Sequence, residues 1–505
     1  MVSLLLAFLS QFYAITAQST SNDTNLLVST NVGVFQGFQA TSEVRAWLGV
    51  PFGAATNGSR RFRPPQKARA LPTTQIFNAT RFGLGCPQNK GATYQGSRLI
   101  GGLSSVGNFS EGDDCLNLNI WSPVSNGTST TLAPVLIWIY GGSGQFGGSA
   151  VPYYNGQNFV EAQKDVIVVS LNYRTNIFGF PSGSLPVLPL AQSNLGLLDQ
   201  RMAIEWVYNN IRAFGGDPER ITLFGESAGA GAIGAYAYAY EFDPIVQGLI
   251  MESGSEEVFS SQGTLNITLA QTAWQTVANN SGCPLINGNQ DAQFVCLQNA
   301  PFTTVQAAVS NTSLSGNFNA QVDNVTLYSE AEFTRRRSSG GFAKLPVLIG
   351  TNKDEGTIIP VPGVSADLVT LYGFACPAAV VAQSRANYSV PAYIYKYVGQ
   401  YPNLNPYPAL GVYHSSEIPM VFGTYNLSTV APATAQQILT SSQIQGAWAA
   451  FARDPSHGLT NYGWQQYMTN GSSVNVLGSN SSSVATFLPA SNYTSGCSFL
   501  FPQLV

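Results

Sequence analysis

Three short stretches of this chain are apolar almost without interruption. Residues 133–142 read APVLIWIYGG, residues 165–174 DVIVVSLNYR and residues 220–225 RITLFG. A strand with one wet face alternates apolar and polar side chains, because successive residues point to opposite sides. Runs without that alternation suit strands covered on both faces, as in a parallel sheet with helices above and below. Between the second and third runs lies LGLLDQRMAIEWVYNNIRAFGGDP. There Leu195, Leu198, Met202, Trp206 and Ile211 recur at helical spacing, and Gly215, Gly216 and Pro218 stop the helix. QGLIMESGS (247–255) and KLPVLIGTNKDE (344–355) read as later strands. Strands alternating with helices predict a doubly wound α/β fold whose central sheet is mostly parallel. Residues 260–340, more polar and helix-like, read as an inserted helical subdomain, and the Ser/Asn-rich stretch 470–484 as a surface loop.

Composition narrows the function. Charged residues make up 10% of the 505-residue chain, against a usual value of about 25%. The net charge is −4, with no basic stripe beyond RRR at 335–337. That balance argues against nucleic-acid binding, which rests on neutralising phosphates; the three arginines read as a solvated loop. The N-terminus, MVSLLLAFLSQFYAITAQ, is an apolar run too short to span a bilayer and followed at once by polar residues. It reads as a signal peptide over 1–17, with one domain over 18–505. No other stretch reaches 18 apolar residues, so no stable membrane insertion is expected. Six cysteines, an even number, suit an oxidising compartment. Fourteen N-x-S/T sequons point the same way, and neutral glycans would help so uncharged a surface stay in solution. The oligomeric state is not readable.

Residues 225–229 read GESAG. A serine between two glycines, after a β-rich run and before a run of small helix-formers, suits a nucleophile on a sharp strand-to-helix turn. With 50 glycines in the chain, the motif alone arises readily by chance. A serine hydroxyl is a poor nucleophile until an imidazole takes its proton, and a carboxylate holds that imidazole in the right tautomer. Only two histidines are present, His414 in GVYHSSEIPMVFG and His457 in the turn-rich DPSHGLTNYG. If Ser227 is the nucleophile, one of them is the base. His414, in a loop opening toward an apolar segment, is favoured.

Longer stretches carry a family resemblance. EVRAWLGVPFG, RRFRPP, EGDDCLNLNIW (111–121) and above all NLGLLDQRMAIEWVYNNIRAFGGDPERITLFGESAG (194–229) resemble the type-B carboxylesterase/lipase family, the cholinesterase-like α/β-hydrolases, over nearly the whole mature chain. Asn117 stands where the family usually has an aromatic. The resemblance is to the secreted, fungal type of member and implies an α/β-hydrolase fold. It makes Ser227 the nucleophile and Glu355, in KDEGT, the acid, with Asp354 beside it as rival. It makes His414 the base. Ser253 and Glu417 are implied as a hydrogen-bonded pair supporting the histidine from behind. The oxyanion hole is implied to use the backbone N–H groups of Gly142, Ser143 and Ala228. The family has a third glycine where Ser143 stands, which places a side chain at the hole.

Six cysteines allow 15 pairings; the resemblance implies Cys86–Cys115 and Cys283–Cys296, leaving Cys376 with Cys497. No metal or cofactor is implied, because no clustered His/Cys set is present. The expected partner is a small-molecule ester. The reading is therefore a secreted serine esterase, EC 3.1.1.-, working through an acyl-enzyme. An interfacial triacylglycerol lipase and a non-catalytic adhesion protein of the same fold are the alternatives. The loop between Cys86 and Cys115 has no tryptophan to hold a choline head, its only aromatics being Tyr94 and Phe109, and its Leu99, Ile100, Leu103, Val106 and Phe109 point to neutral esters instead.

Overall fold

The computed structural model describes residues 26–72, 74–91, 109–124, 131–181, 189, 192–257, 267–468, 473–479 and 486–504. Residues 1–17, read above as a signal peptide, lie outside the described residues, as do Tyr94, Leu99, Ile100, Leu103 and Val106 of the Cys86–Cys115 loop.

The apolar runs form the middle of the molecule. β1 (Leu27–Thr30), β2 (Gly33–Gln36) and β5 (Ile76–Asn78) make a small sheet at the N-terminal side. The other strands are β3 (Phe38–Gln39), β4 (Val44–Pro51), β6 (Asn117–Pro123), β7 (Ala133–Ile139), β8 (Ile167–Leu171), β9 (Gly216–Glu226), β10 (Gly248–Glu252), β11 (Val347–Asn352), β12 (Ala392–Tyr397), β13 (Ser473–Leu477) and β14 (Thr486–Pro489). They form one 11-stranded sheet in the order β14-β13-β12-β11-β10-β9-β7-β8-β6-β4-β3. From β13 to β8 every neighbouring pair is parallel; β14, β6, β4 and β3 add antiparallel edges. Helices Ala228–Ala239, Cys376–Asn387 and Ala435–Arg453 pack against β9 and β10, β11 and β12, and β7 and β9 respectively. This is the α/β-hydrolase architecture expected from the sequence. Every residue of β7, β8 and β10 is buried, which is why those runs carry no alternation.

Between β10 and β11 the chain is helical: Ile267–Asn280, Gln290–Asn299, Phe302–Ser310 and Glu330–Ser339. Three of these helices share a separate apolar cluster around Trp274, Phe294, Leu297, Val305 and Val309, joined from elsewhere by Phe62 and Phe178. Disulfides join Cys86–Cys115, Cys283–Cys296 and Cys376–Cys497. Among the described residues one continuous helical stretch, Ala366–Asn387, is long and apolar enough to cross a membrane by length and composition; here it packs into the protein.

Three expectations need correction. Residues 473–477 are a strand, not a loop: Val474 and Asn475 are buried, and the Asn475 amide donates to Ile394 O (3.0 Å), so a buried polar residue is satisfied across the β12–β13 pair. The arginine run lies in the helix Glu330–Ser339, not a loop. Its Arg337 is buried and paired with Glu256 and Glu257, both at 2.9 Å. The helix Leu195–Asn210 is covered nearly all round; Leu197, Ala203, Ile204 and Val207 are buried, while Leu198 and Met202 are only half-buried.

Candidate active site

β9 ends at Glu226, and the helix Ala228–Ala239 begins two residues later, with Ser227 alone between them. The turn has no room for side chains on its flanks. A Cβ on Gly225 would sit 2.5 Å from Ile139 O, and one on Gly229 would collide with the same carbonyl. Ile139 is in register beside Gly225, so the two glycines let the turn close against the end of β7. Ser227 between them sits at φ +55°, ψ −120°, outside the regions a serine ordinarily occupies. It is half-buried, where its neighbours are fully buried.

The loop after β7 runs beside this turn. A Cβ on Gly141 would lie 2.9 Å from Ser227 Cβ. Gly142 (φ +99°), Ser143 (φ +56°) and Gly144 (φ +68°) follow in left-handed backbone. Their carbonyls are engaged away from the turn: Gly142 O accepts from Gln145 N (2.9 Å), Ser143 O from Asn319 Nδ2 (3.1 Å) and Gly144 O from Asn176 N (2.6 Å). Ala228, first in its helix, carries an N–H without an intrahelical acceptor.

Glu355 and His414 meet at the same C-terminal end of the parallel strands that carries Ser227. Glu355 follows β11 and is completely buried. Its Oε1 accepts from Asn352 N (2.6 Å), and its Oε2 lies 2.6 Å from His414 Nδ1. The other ring nitrogen, Nε2, lies 3.1 Å from Glu226 Oε1. Among the described residues no hydrogen bond joins His414 to Ser227 Oγ; such bonds often tighten only in the substrate complex. Ser253 Oγ donates to Glu417 Oε1 (3.3 Å). Asp354 takes no part: its Oδ2 accepts from Val412 N (2.8 Å). His457 stands apart, its side chain 76% exposed, against Asp454 (3.4 Å).

The carboxylesterase family pattern matches residues 24–366 and 362–495. The chain belongs to that family. It is a carboxylic ester hydrolase. The esterase is 33% identical over 500 residues to "Secreted lipase 5" of Gibberella zeae, covering 92% of each chain. It is 36% identical over 467 residues to "Chlorogenic acid esterase" of Aspergillus niger, covering 89% of this chain and 87% of that one. It is 32% identical over 499 residues to "Cholinesterase" of Mus musculus, covering 85% and 79%.

The esterase gathers three buried glutamates, Glu226, Glu355 and Glu417, around this one imidazole, with a fourth, Glu252, behind Glu417 and Glu226. Burial opposes charging His414, but Glu226, Glu355 and Glu417 outweigh it and push its pKa up to about 9. Burial, with Glu226 and Glu355 adding to it, pushes Glu417 up to about 8. Burial raises Glu226, against the pull of His414 and the Ser415 hydroxyl, and holds Glu252 well above the usual carboxylate range. Glu252 Oε1 accepts from Trp448 Nε1 (2.7 Å).

Four residues of the esterase's site escaped the sequence reading. Asn352 ties Glu355 to the segment that carries His414: its N–H binds Glu355, and its amide donates to Tyr413 O (2.9 Å) and to Glu417 Oε2. Glu226 lies inside the GESAG motif, but its contact with His414 depends on the fold. Ser415 Oγ donates to Glu226 Oε1 (2.6 Å). Phe374, on a π-helical turn over Leu371–Ala375, packs its ring 5.1 Å from that of His414. Single-turn π segments gather at functional sites, yet LYGFA carries no sequence signal for one.

Proposed function

We propose that the esterase is a secreted serine esterase whose nucleophile is Ser227, with His414 as general base and Glu355 as the acid that orients it. The observation that carries this is the 2.6 Å contact from Glu355 Oε2 to His414 Nδ1, beside a serine held on a strained turn. A carboxylate at Nδ1 keeps a proton there and leaves Nε2 to work as base. In this reading, Nε2 takes the Ser227 proton as Oγ bonds to the ester carbon. The carbonyl oxygen becomes an oxyanion, met by the N–H groups of Gly142, Ser143 and Ala228. Collapse breaks the ester bond, and the imidazolium returns its proton to the departing alcohol. Water, deprotonated by His414, then releases the acid and restores Ser227.

Two lines support secretion. The relative from Gibberella zeae is named a secreted lipase. Every sequon asparagine among the described residues is exposed: Asn57, Asn78, Asn279, Asn311, Asn324, Asn387, Asn426 and Asn492. That relative's name also favours a second reading, a lipase acting at lipid–water interfaces. Rates on one ester below and above its solubility limit separate the two. A soluble-substrate esterase saturates before the emulsion forms; a steep rise on emulsification would make it a lipase. The acyl-enzyme predicts a burst of alcohol before steady state whenever deacylation limits turnover.

A further inference from the structure

Ser415 stands in left-handed backbone at φ +74°, a conformation that suits glycine and strains serine. Its hydroxyl is spent on one bond, to Glu226 Oε1 at 2.6 Å. The same oxygen lies 3.1 Å from His414 Nε2. Glu226 is 2% exposed, and a Cβ on Gly141 would fall 2.8 Å from its Oε2, so the carboxylate is also confined by the glycine loop. Carboxylate oxygens accept and do not donate unless protonated. An imidazole with a carboxylate at each nitrogen therefore suits its doubly protonated form.

We propose that Ser415 is a positioning residue that holds the Glu226 carboxylate ionised and aimed at Nε2, and so sets the pH at which the base is released for catalysis. This rests on His414 being the base, as proposed above. The hydroxyl does two things. It donates to a buried carboxylate that burial would otherwise drive to take up a proton. It also fixes which oxygen faces the ring, so the imidazolium formed when Nε2 accepts the Ser227 proton has an anion on both sides. The other groups facing this pair are Glu355, Glu417 and Glu252, with the phenols of Tyr154 and Tyr173. None of these supplies a donor hydrogen bond to Glu226. Ser415 supplies one.

Ser415→Gly deletes the hydroxyl and suits the backbone, so folding is not at risk. The experiment is the pH profile of kcat/KM on a small soluble ester for wild type, Ser415→Gly, Glu226→Gln and the double variant. Without the hydroxyl, Glu226 neutralises more readily and the imidazolium loses an anion. The acidic limb of Ser415→Gly is expected to move to lower pH by about half a unit or more, with a lower plateau. In the Glu226→Gln background the same change should do nothing to the limb, because the group it acts through is gone. An unmoved limb in Ser415→Gly, or an equal shift in both backgrounds, overturns the proposal. His414→Ala keeps the two readings apart: if it stays active, the assignment of the base has failed; if it is dead while the shift is absent, only the role of Ser415 has.

Discussion

Replacing Glu355 by glutamine tests the proposed division of work between acid and base, and the structure fixes how the amide must turn. Glu355 is fully buried, with one oxygen on Asn352 N (2.6 Å) and the other on His414 Nδ1 (2.6 Å). Asn352 N is a donor, so the glutamine oxygen must stay there. Its NH₂ then faces Nδ1 and makes that nitrogen an acceptor. The ring proton moves to Nε2, the nitrogen that takes the proton of Ser227 in the proposed mechanism. A base in the wrong tautomer costs about 10⁴-fold in kcat, or about 5.4 kcal/mol of barrier. Asp354→Asn is the control. It keeps an oxygen for Val412 N, touches no ring nitrogen, and risks one hydrogen bond of about 0.5–1.5 kcal/mol, roughly tenfold at most. The assay is kcat on a small aryl ester, with thermal melts to show that both variants fold. Equal losses, or a larger loss in Asp354→Asn, would refute the division of roles.

Other outcomes follow from the same geometry. Glu417 (pKa up to about 8) and His414 (up to about 9) bind protons more tightly folded than unfolded. Their contribution is complete below about pH 4.5 and about pH 6.5 respectively, and is lost as pH rises through the folded values. Tm should therefore fall between pH 6.5 and 9 while activity rises; a Tm that climbs over that range contradicts the raised values. Gly229→Ala drives a methyl into Ile139 O and should cost about 1–3 kcal/mol and most of the activity; an unchanged variant would mean that the turn is not tight. Neutral butyrate esters should exceed butyrylcholine in kcat/KM, because residues 86–115 hold no tryptophan and Phe109 packs against Gly85 and Gly148; a choline preference would show that another aromatic holds the cation.

The sheet was legible because its strands are buried on both faces, and that leaves an unbroken apolar run in the sequence. The turn at Ser227 was legible because close approach to Ile139 admits only glycine at 225 and 229. What stayed hidden depends on partners far apart in the chain. Arg337 looked like part of a solvated run; only the fold brings it to Glu256, 81 residues earlier. Strand β13 looked like a loop because its buried Asn475 is paid for by Ile394 O, across the sheet. Ser415 looked like an ordinary polar residue, since neither its positive φ nor its reach to Glu226 leaves a trace in the local pattern.

The most direct test of the central assignment is covalent. An organophosphate reacts with an activated serine and stays on it, so digestion and mass mapping name the nucleophile. The prediction is a single adduct on Ser227, abolished in Ser227→Ala together with ester hydrolysis while the fold is kept. An adduct on another residue, or an active Ser227→Ala protein, would contradict it.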